Sequence, residues 1–268
     1  MWAADSGLSI LQGGVQNAED SPYVPASYRF LPGDYIYLTF SIAGFTIKSE
    51  DAEKGRKISL SYEVRAEDLN GSPLAPAASD KIEAEINPED KDWTPKRRVS
   101  FELPPYLAAG RFQIHVTVKD LFGKSETSKN FPFQIGGVHL EPSSSVVAEQ
   151  FGFLRKENDR EPLETPAYAP GDTVFARFEM IGFQTRKDNG YHLSYGVTVF
   201  RPNGKPLIDD PKAAELEATS YYPAQYLPGS AAFRLPSNAP KGQYVVALTL
   251  HDLIGNTTSQ LRRAFSVE

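Results

Sequence analysis

The chain has no cysteine in 268 residues, which excludes disulfides, zinc–thiolate and iron–sulfur ligation, and cysteine nucleophiles. No apolar run approaches the roughly 18–20 residues that span a bilayer. A charge excess of one sign is missing too. Lys and Arg number 28 against 34 Asp and Glu, a formal net charge of −6, so no nucleic-acid partner is expected: counterion release needs a basic face. Helical periodicity is nearly absent. Only Pro211-Lys212-Ala213-Ala214-Glu215-Leu216 has the composition to start a helical turn, and it is too short to matter. Met1-Trp2-Ala3-Ala4-Asp5-Ser6 lacks the basic and apolar regions of a signal peptide. It reads either as the mature end left after export, with Met1 placed in front, or as a short cytoplasmic tail.

What the sequence does have is repetition. Leu31-Pro32-Gly33-Asp34 returns as Ala169-Pro170-Gly171-Asp172, and Leu60-Ser61-Tyr62 as Leu193-Ser194-Tyr195. Asn70-Gly71 returns as Asn203-Gly204, Phe101-Glu102-Leu103-Pro104 as Phe233-Arg234-Leu235-Pro236, and Asp120-Leu121-Phe122-Gly123 as Asp252-Leu253-Ile254-Gly255. The order of the blocks is unchanged, and their offset shrinks in small steps, as loop deletions would make it. The expectation is a tandem duplication, with domains at 1–136 and 137–268. Gly136-Gly137 and Pro142-Ser143-Ser144-Ser145 have linker composition, and Phe151-Gly152-Phe153-Leu154 is expected to open the second domain as Leu8-Ser9-Ile10-Leu11 opens the first. Neither repeat body is charge-polarised: residues 28–135 carry 15 basic and 16 acidic side chains, and 166–268 carry 10 and 9.

Period-two alternation bounded by Gly, Pro, Asn and Asp marks the strands. Tyr35 to Ile42, Ile58 to Val64 and Arg111 to Val118 show it, as do Thr173 to Met180, His192 to Phe200 and Gln243 to Leu250. About seven strands per repeat predict an all-β chain of two tandem immunoglobulin-like β-sandwiches. Gly242-Gln243-Tyr244 fits the tyrosine corner of such domains, in which a Tyr hydroxyl bonds back to the backbone. Phe112 stands at the matching position and has no hydroxyl. Ile114 and Val246 replace the usual Cys, so each core must hold by packing.

Tyr168-x-Pro170-Gly171-Asp172-x-Val174, Val199-Phe200-Arg201-Pro202-Asn203-Gly204-Lys205-Pro206-Leu207 and Phe233-x-Leu235-Pro236-x-x-Ala239-Pro240-x-Gly242-x-Tyr244 resemble a macroglobulin-type domain. They are also similar to the extracellular immunoglobulin-like repeats of bacterial surface proteins. The resemblance covers most of each repeat, through turn and strand motifs. It implies an extracytoplasmic β-sandwich, secreted, periplasmic or on the cell surface, and most often non-enzymatic. Macroglobulins proper often carry a Cys-Gln thioester; with no Cys, protease trapping is not implied.

The residues point to no catalytic group. The repeated Asp34, Asp172, Asp120 and Asp252 fit turn chemistry, Asp120 and Asp252 heading an Asp-x-x-Gly turn. A clustered calcium pattern is missing, although a metal bridging loops with Glu161 or Glu164 stays open as a reading. His115, His139, His192 and His251 are scattered, and no nucleophile elbow or phosphate loop is present. No cofactor and no metal are expected. Two loops before the Phe-x-Leu-Pro strands carry aromatics: Trp93 in the first repeat, and Tyr221, Tyr222 and Tyr226 in the second. These four are the candidate binding residues, for stacking on sugar rings or anchoring a protein. In the competing reading they fold back to cap the sandwich. Lys96-Arg97-Arg98 reads as a solvated strand start. The function expected is a non-enzymatic binding or scaffold protein with a protein or polysaccharide of the cell envelope as partner and no insertion into a membrane. A carbohydrate-binding module using the loop aromatics is the alternative, and a hydrolase the least favoured.

Overall fold

A computed structural model describes residues 7–49, 56–87, 90 and 93–268. The reading of residues 1–6 as a processed end lies outside them. The described residues are all-β, and no helix among them is long and apolar enough to cross a membrane. The chain divides into two compact units, Met1–Val138 and His139–Glu268.

The first unit holds β1 (Ser9–Gln16), β2 (Arg29–Phe30), β3 (Tyr35–Ala43), β4 (Lys48–Ser49), β5 (Arg56–Asp68), β6 (Ala78–Ile86), β7 (Lys96–Glu102), β8 (Gly110–Asp120) and β9 (Ser125–Ile135). A small sheet runs β1-β3-β7. A large one runs β2-β9-β8-β5, with β4 and β6 both paired to β5. Every pairing is antiparallel except β2 with β9. The alternating apolar positions supply the inner faces: Ile36, Leu38, Phe40 and Ile42 from β3 meet Leu60, Val64, Ile114 and Val116 from β5 and β8, all 0% exposed. Burying each such side chain stabilises the fold by about 1.5–3 kcal/mol.

The second unit holds β10 (Val147–Leu154), β11 (Ala167–Tyr168), β12 (Thr173–Ile181), β13 (Gly190–Phe200), β14 (Pro206–Thr219), β15 (Leu227–Arg234), β16 (Gly242–Asp252) and β17 (Thr257–Val267). Its sheets run β10-β12-β15 and β11-β17-β16-β13-β14. Both units are immunoglobulin-like β-sandwiches. Tyr244 makes the expected corner, its hydroxyl donating to the Pro240 carbonyl at 3.0 Å.

Several local expectations need correction. Pro211 to Leu216 is not helical. It lies in β14, where Glu215 and Leu216 pair with Ser194 and Leu193, and the adjacent strand β13 overrides helix propensity. The first strand of the second unit starts at Val147, ahead of Phe151, and its register break at Glu149/Gly152 repeats the Leu11/Gly14 break of β1. Phe151 to Leu154 therefore matches Gly13 to Gln16 rather than Leu8 to Leu11. The two-residue strands β2, β4 and β11 are too short to alternate.

The repeated Asp residues are turn residues. Gly33 and Gly171 have φ of 84° and 93°, as the third position of a type II turn requires, and Asp34 and Asp172 cap those turns by accepting the amides of Leu31 and Ala169. Asp120, 2% exposed, accepts the amides of Phe122 and Gly123 on Oδ1 and that of Thr46 on Oδ2. It thereby ties the β8–β9 hairpin to the segment after β3. Burial opposes its ionisation, but the Gly123 amide, the Thr46 hydroxyl and amide and the Phe122 amide together hold its carboxyl below the usual range. Asp252 does the same structural task with Ile254, Gly255 and Gln184.

Candidate binding surface

The four candidate aromatics separate. Trp93 is 40% exposed, with its ring edge-on to Phe45 at 6.4 Å. Tyr221 is 53% exposed, and its carbonyl accepts Asn189 Nδ2. Tyr222 and Tyr226 are 7% and 8% exposed. With Ala224 between them they form an alternating row that turns inward before β15, so neither ring offers a face for stacking. Trp93 belongs to the first unit and Tyr221 to the second. Lys96 to Arg98 does open a strand, β7, and Arg98 bonds Glu19 and Asp20.

A second open surface is one the aromatic pattern did not mark. Along β5 the inner-facing Ile58, Leu60 and Val64 alternate with Lys57, Ser59, Ser61 and Glu63, which face outward. Opposite them β6 presents Glu85, Glu83, Lys81 and Ser79 in register, and β8 adds Thr117 and Lys119 on the other side. Small hydroxyl side chains at the centre and long charged ones around them make the face hollow. One hollow, about 410 Å³, lies over Ser59 between Lys57, Glu83 and Phe122. The next, about 440 Å³, lies over Ser61 and Thr117 between Ser79, Lys81 and Lys119. The Phe122 ring that borders the first carries Lys48 Nζ at 4.5 Å from its centroid, within cation–π range.

A hydrogen-bonded ladder continues this face across β5, β8 and β9. Gln113 Nε2 donates to Glu67 (2.9 Å), leaving Gln113 Oε1 to accept Asn130 Nδ2 (3.0 Å). Asn130 Oδ1 then meets His115 Nδ1 at 2.6 Å, and His115 Nε2 meets the Thr117 hydroxyl at 3.1 Å. With Asn130 offering only an acceptor, the neutral ring carries its proton on Nδ1 and takes the Thr117 hydroxyl on Nε2. The ladder fixes Thr117 at the floor of the second hollow.

The matching face of the second unit is filled. His192 and Ser194 stand where Ser59 and Ser61 do, and His192 Nε2 lies 2.7 Å from Glu215, which also pairs with Lys212. The Lys212 ammonium, then His192, hold the Glu215 carboxyl below its ordinary value. Glu63 is replaced by Gly196. A Cβ there would come within 2.6 Å of the Pro211 carbonyl oxygen, because β14 bulges over this position between its Tyr195 and Val197 pairings. Only glycine lets that backbone approach.

No protein-family model and no curated protein matches the chain. Among solved structures it is similar to the C-terminal domain of the Streptococcus pyogenes antigen I/II-family protein AspA (11% identity, TM-score 0.31, 96% of this chain and 99% of that one). It is also similar to the C-terminal domain of the Streptococcus agalactiae AgI/II polypeptide BspA (12%, 0.30, 96% and 100%). The native conformation of E. coli alpha-2-macroglobulin aligns at 11% and 0.29, over 91% of this chain and 16% of that one. Likeness at this level carries nothing about activity or partner.

Proposed function

We propose that the chain is a non-enzymatic binding module that works outside the cytoplasm, with the outer face of the first unit's large sheet as its principal docking surface. The observation that carries this reading is the pair of hollows over Ser59, Ser61 and Thr117. Hydroxyls in the floor and both signs of charge at the rim suit a polar polymer of the cell envelope, a glycan chain or an extended protein segment. The location rests on the sequence resemblance to extracellular repeats, and cell fractionation tests it.

Thermal shift against a panel of envelope polysaccharides tests the glycan form. A ligand selective for the folded state raises its stability by about 2.7 kcal/mol at a hundred times its Kd. Ser61→Arg, which places a long side chain in the floor of the second hollow, should abolish the shift while circular dichroism stays unchanged. A shift that survives it rules out the second hollow. No shift with any glycan leaves the protein form, tested by pull-down from an envelope fraction with the same variant as control.

The second reading is stacking on loop aromatics, favoured by the exposure of Trp93 and Tyr221. There Trp93→Ala and Tyr221→Ala remove the shift and Ser61→Arg does not.

A further inference from the structure

The edge of the first unit's large sheet carries an inference that goes beyond the docking reading and does not depend on what the hollows hold. β6 is that edge. It pairs with β5 without interruption from Val64↔Ala78 to Arg56↔Ile86, and it contains neither proline nor glycine. The matching edge of the second unit, β14, is interrupted by Pro211 and its bulge, a usual way of closing a sheet edge to further strands. On β6 the Lys81 amide points away from β5, since its partner is the Asp80 carboxylate at 2.7 Å. Ile82 is buried, whereas Lys81 and Glu83 are exposed on the outer face. Among the described residues neither has an ion pair, while their neighbours Glu63 and Glu85 are held by Arg65 and Lys57.

Among registers centred on the middle of the strand, from Asp80 to Ala84, the charge order is self-complementary in one. Two copies joined edge to edge about a two-fold axis perpendicular to the sheet must keep outward residues opposite outward residues. The axis therefore passes through a residue. Centred on Asp80, Lys81 or Glu83, the pairing sets that charge against itself. Centred on Ala84, it sets Glu83 against Glu85 twice. Centred on Ile82, it sets Lys81 of each copy against Glu83 of the other, Asp80 against Ala84 and Ser79 against Glu85, with no like charges opposite.

We propose that β6 pairs antiparallel with β6 of a second copy of this chain, centred on Ile82, so that two large sheets become one. The Lys81 amide leaves Asp80 and donates to the Glu83 carbonyl of the second copy, whose Glu83 amide has the Lys81 carbonyl as acceptor. The hollows of the two copies then lie on one continuous outer face.

Sedimentation velocity on the protein alone, from about 1 µM to about 1 mM, tests this without any ligand. The expected result is a dimer whose share grows with concentration. Lys81→Glu and Glu83→Lys each replace both opposite pairs with like pairs, and each should weaken dimerisation about tenfold or more. The double variant exchanges the two charges and should restore the dimer. That restoration separates a register-specific pairing from loss of fold. A chain that stays monomeric throughout the range overturns the proposal, as does a dimer unmoved by either single change or a double variant that stays monomeric. None of these outcomes bears on glycan binding, which is read separately by thermal shift.

Discussion

Tyr168, Tyr195 and Tyr244 of the second unit stand where the first has Phe30, Tyr62 and Phe112. The ring packing is nearly the same: Tyr244 stacks on Phe265 at 5.4 Å and 25°, and Phe112 on Phe133 at 5.8 Å and 25°. The hydroxyls differ. In the second unit each donates to a backbone carbonyl, to Leu154, Ser230 and Pro240 respectively. Burial pushes the Tyr168 phenol up to about 12, against the pull of Arg155. In the first unit two of the three positions have no hydroxyl, and the Tyr62 hydroxyl makes no hydrogen bond among the described residues. Apolar packing thus suffices to build the sandwich, and the hydroxyls add fixed links between segments that packing alone leaves to side-chain shape.

The largest effect expected is from removing those links together. Tyr168→Phe with Tyr195→Phe and Tyr244→Phe should destabilise the second unit by about 3 kcal/mol, near 1 kcal/mol for each bond, while leaving the first unit's transition in calorimetry unmoved. Next comes Gly196→Val, which forces the Pro211 bulge outward at a cost of about 2 kcal/mol. Glu63→Val at the matching open position of the first unit should stay within about 0.5 kcal/mol. Chemical denaturation of the two variants compares them directly.

An acid titration sharpens the contrast further. The folded pKa of Asp120 lies below the unfolded value of about 3.9. Its carboxylate therefore stabilises the first unit above that pH, and the contribution is lost as pH falls through the lower folded value. Asp120→Asn should flatten the pH dependence of that unit's melting below pH 4 or so. The smallest effect belongs to the exposed pair of Arg186 and Glu217, 3.0 Å apart. Arg186→Gln should leave the melting temperature of the second unit unchanged in calorimetry.

Much of the architecture was written in local pattern. The alternation at Tyr35 to Ile42 and Arg111 to Val118 marks two strands whose inner faces the structure buries, and Gly-x-Tyr at 242–244 marks the corner. Tyr222, Ala224 and Tyr226 also alternate, and that spacing was the available sign that two of the four aromatics face inward. The docking surface was legible only in fragments. Ser59, Ser61, Ser79 and Thr117 are the bland polar positions of three strands, and nothing in one strand says which others will lie beside it. A hollow made from small side chains on neighbouring strands needs the pairing before it can be seen. The β14 edge was hidden for another reason, since alanine and proline suppress the strand signal that the adjacent β13 supplies.

The parallel pairing of Arg29–Phe30 with Gln134–Ile135, repeated by Ala167–Tyr168 with Ser266–Val267, makes neighbours of the second and the last strand of each unit. During synthesis the second strand of the first unit therefore waits for its partner until more than a hundred further residues have been added. At typical elongation rates that delay is on the order of ten seconds. The segment leaves the ribosome long before its place in the sheet exists, and until then the apolar Phe30 lacks the Phe133 ring that packs edge-on against it.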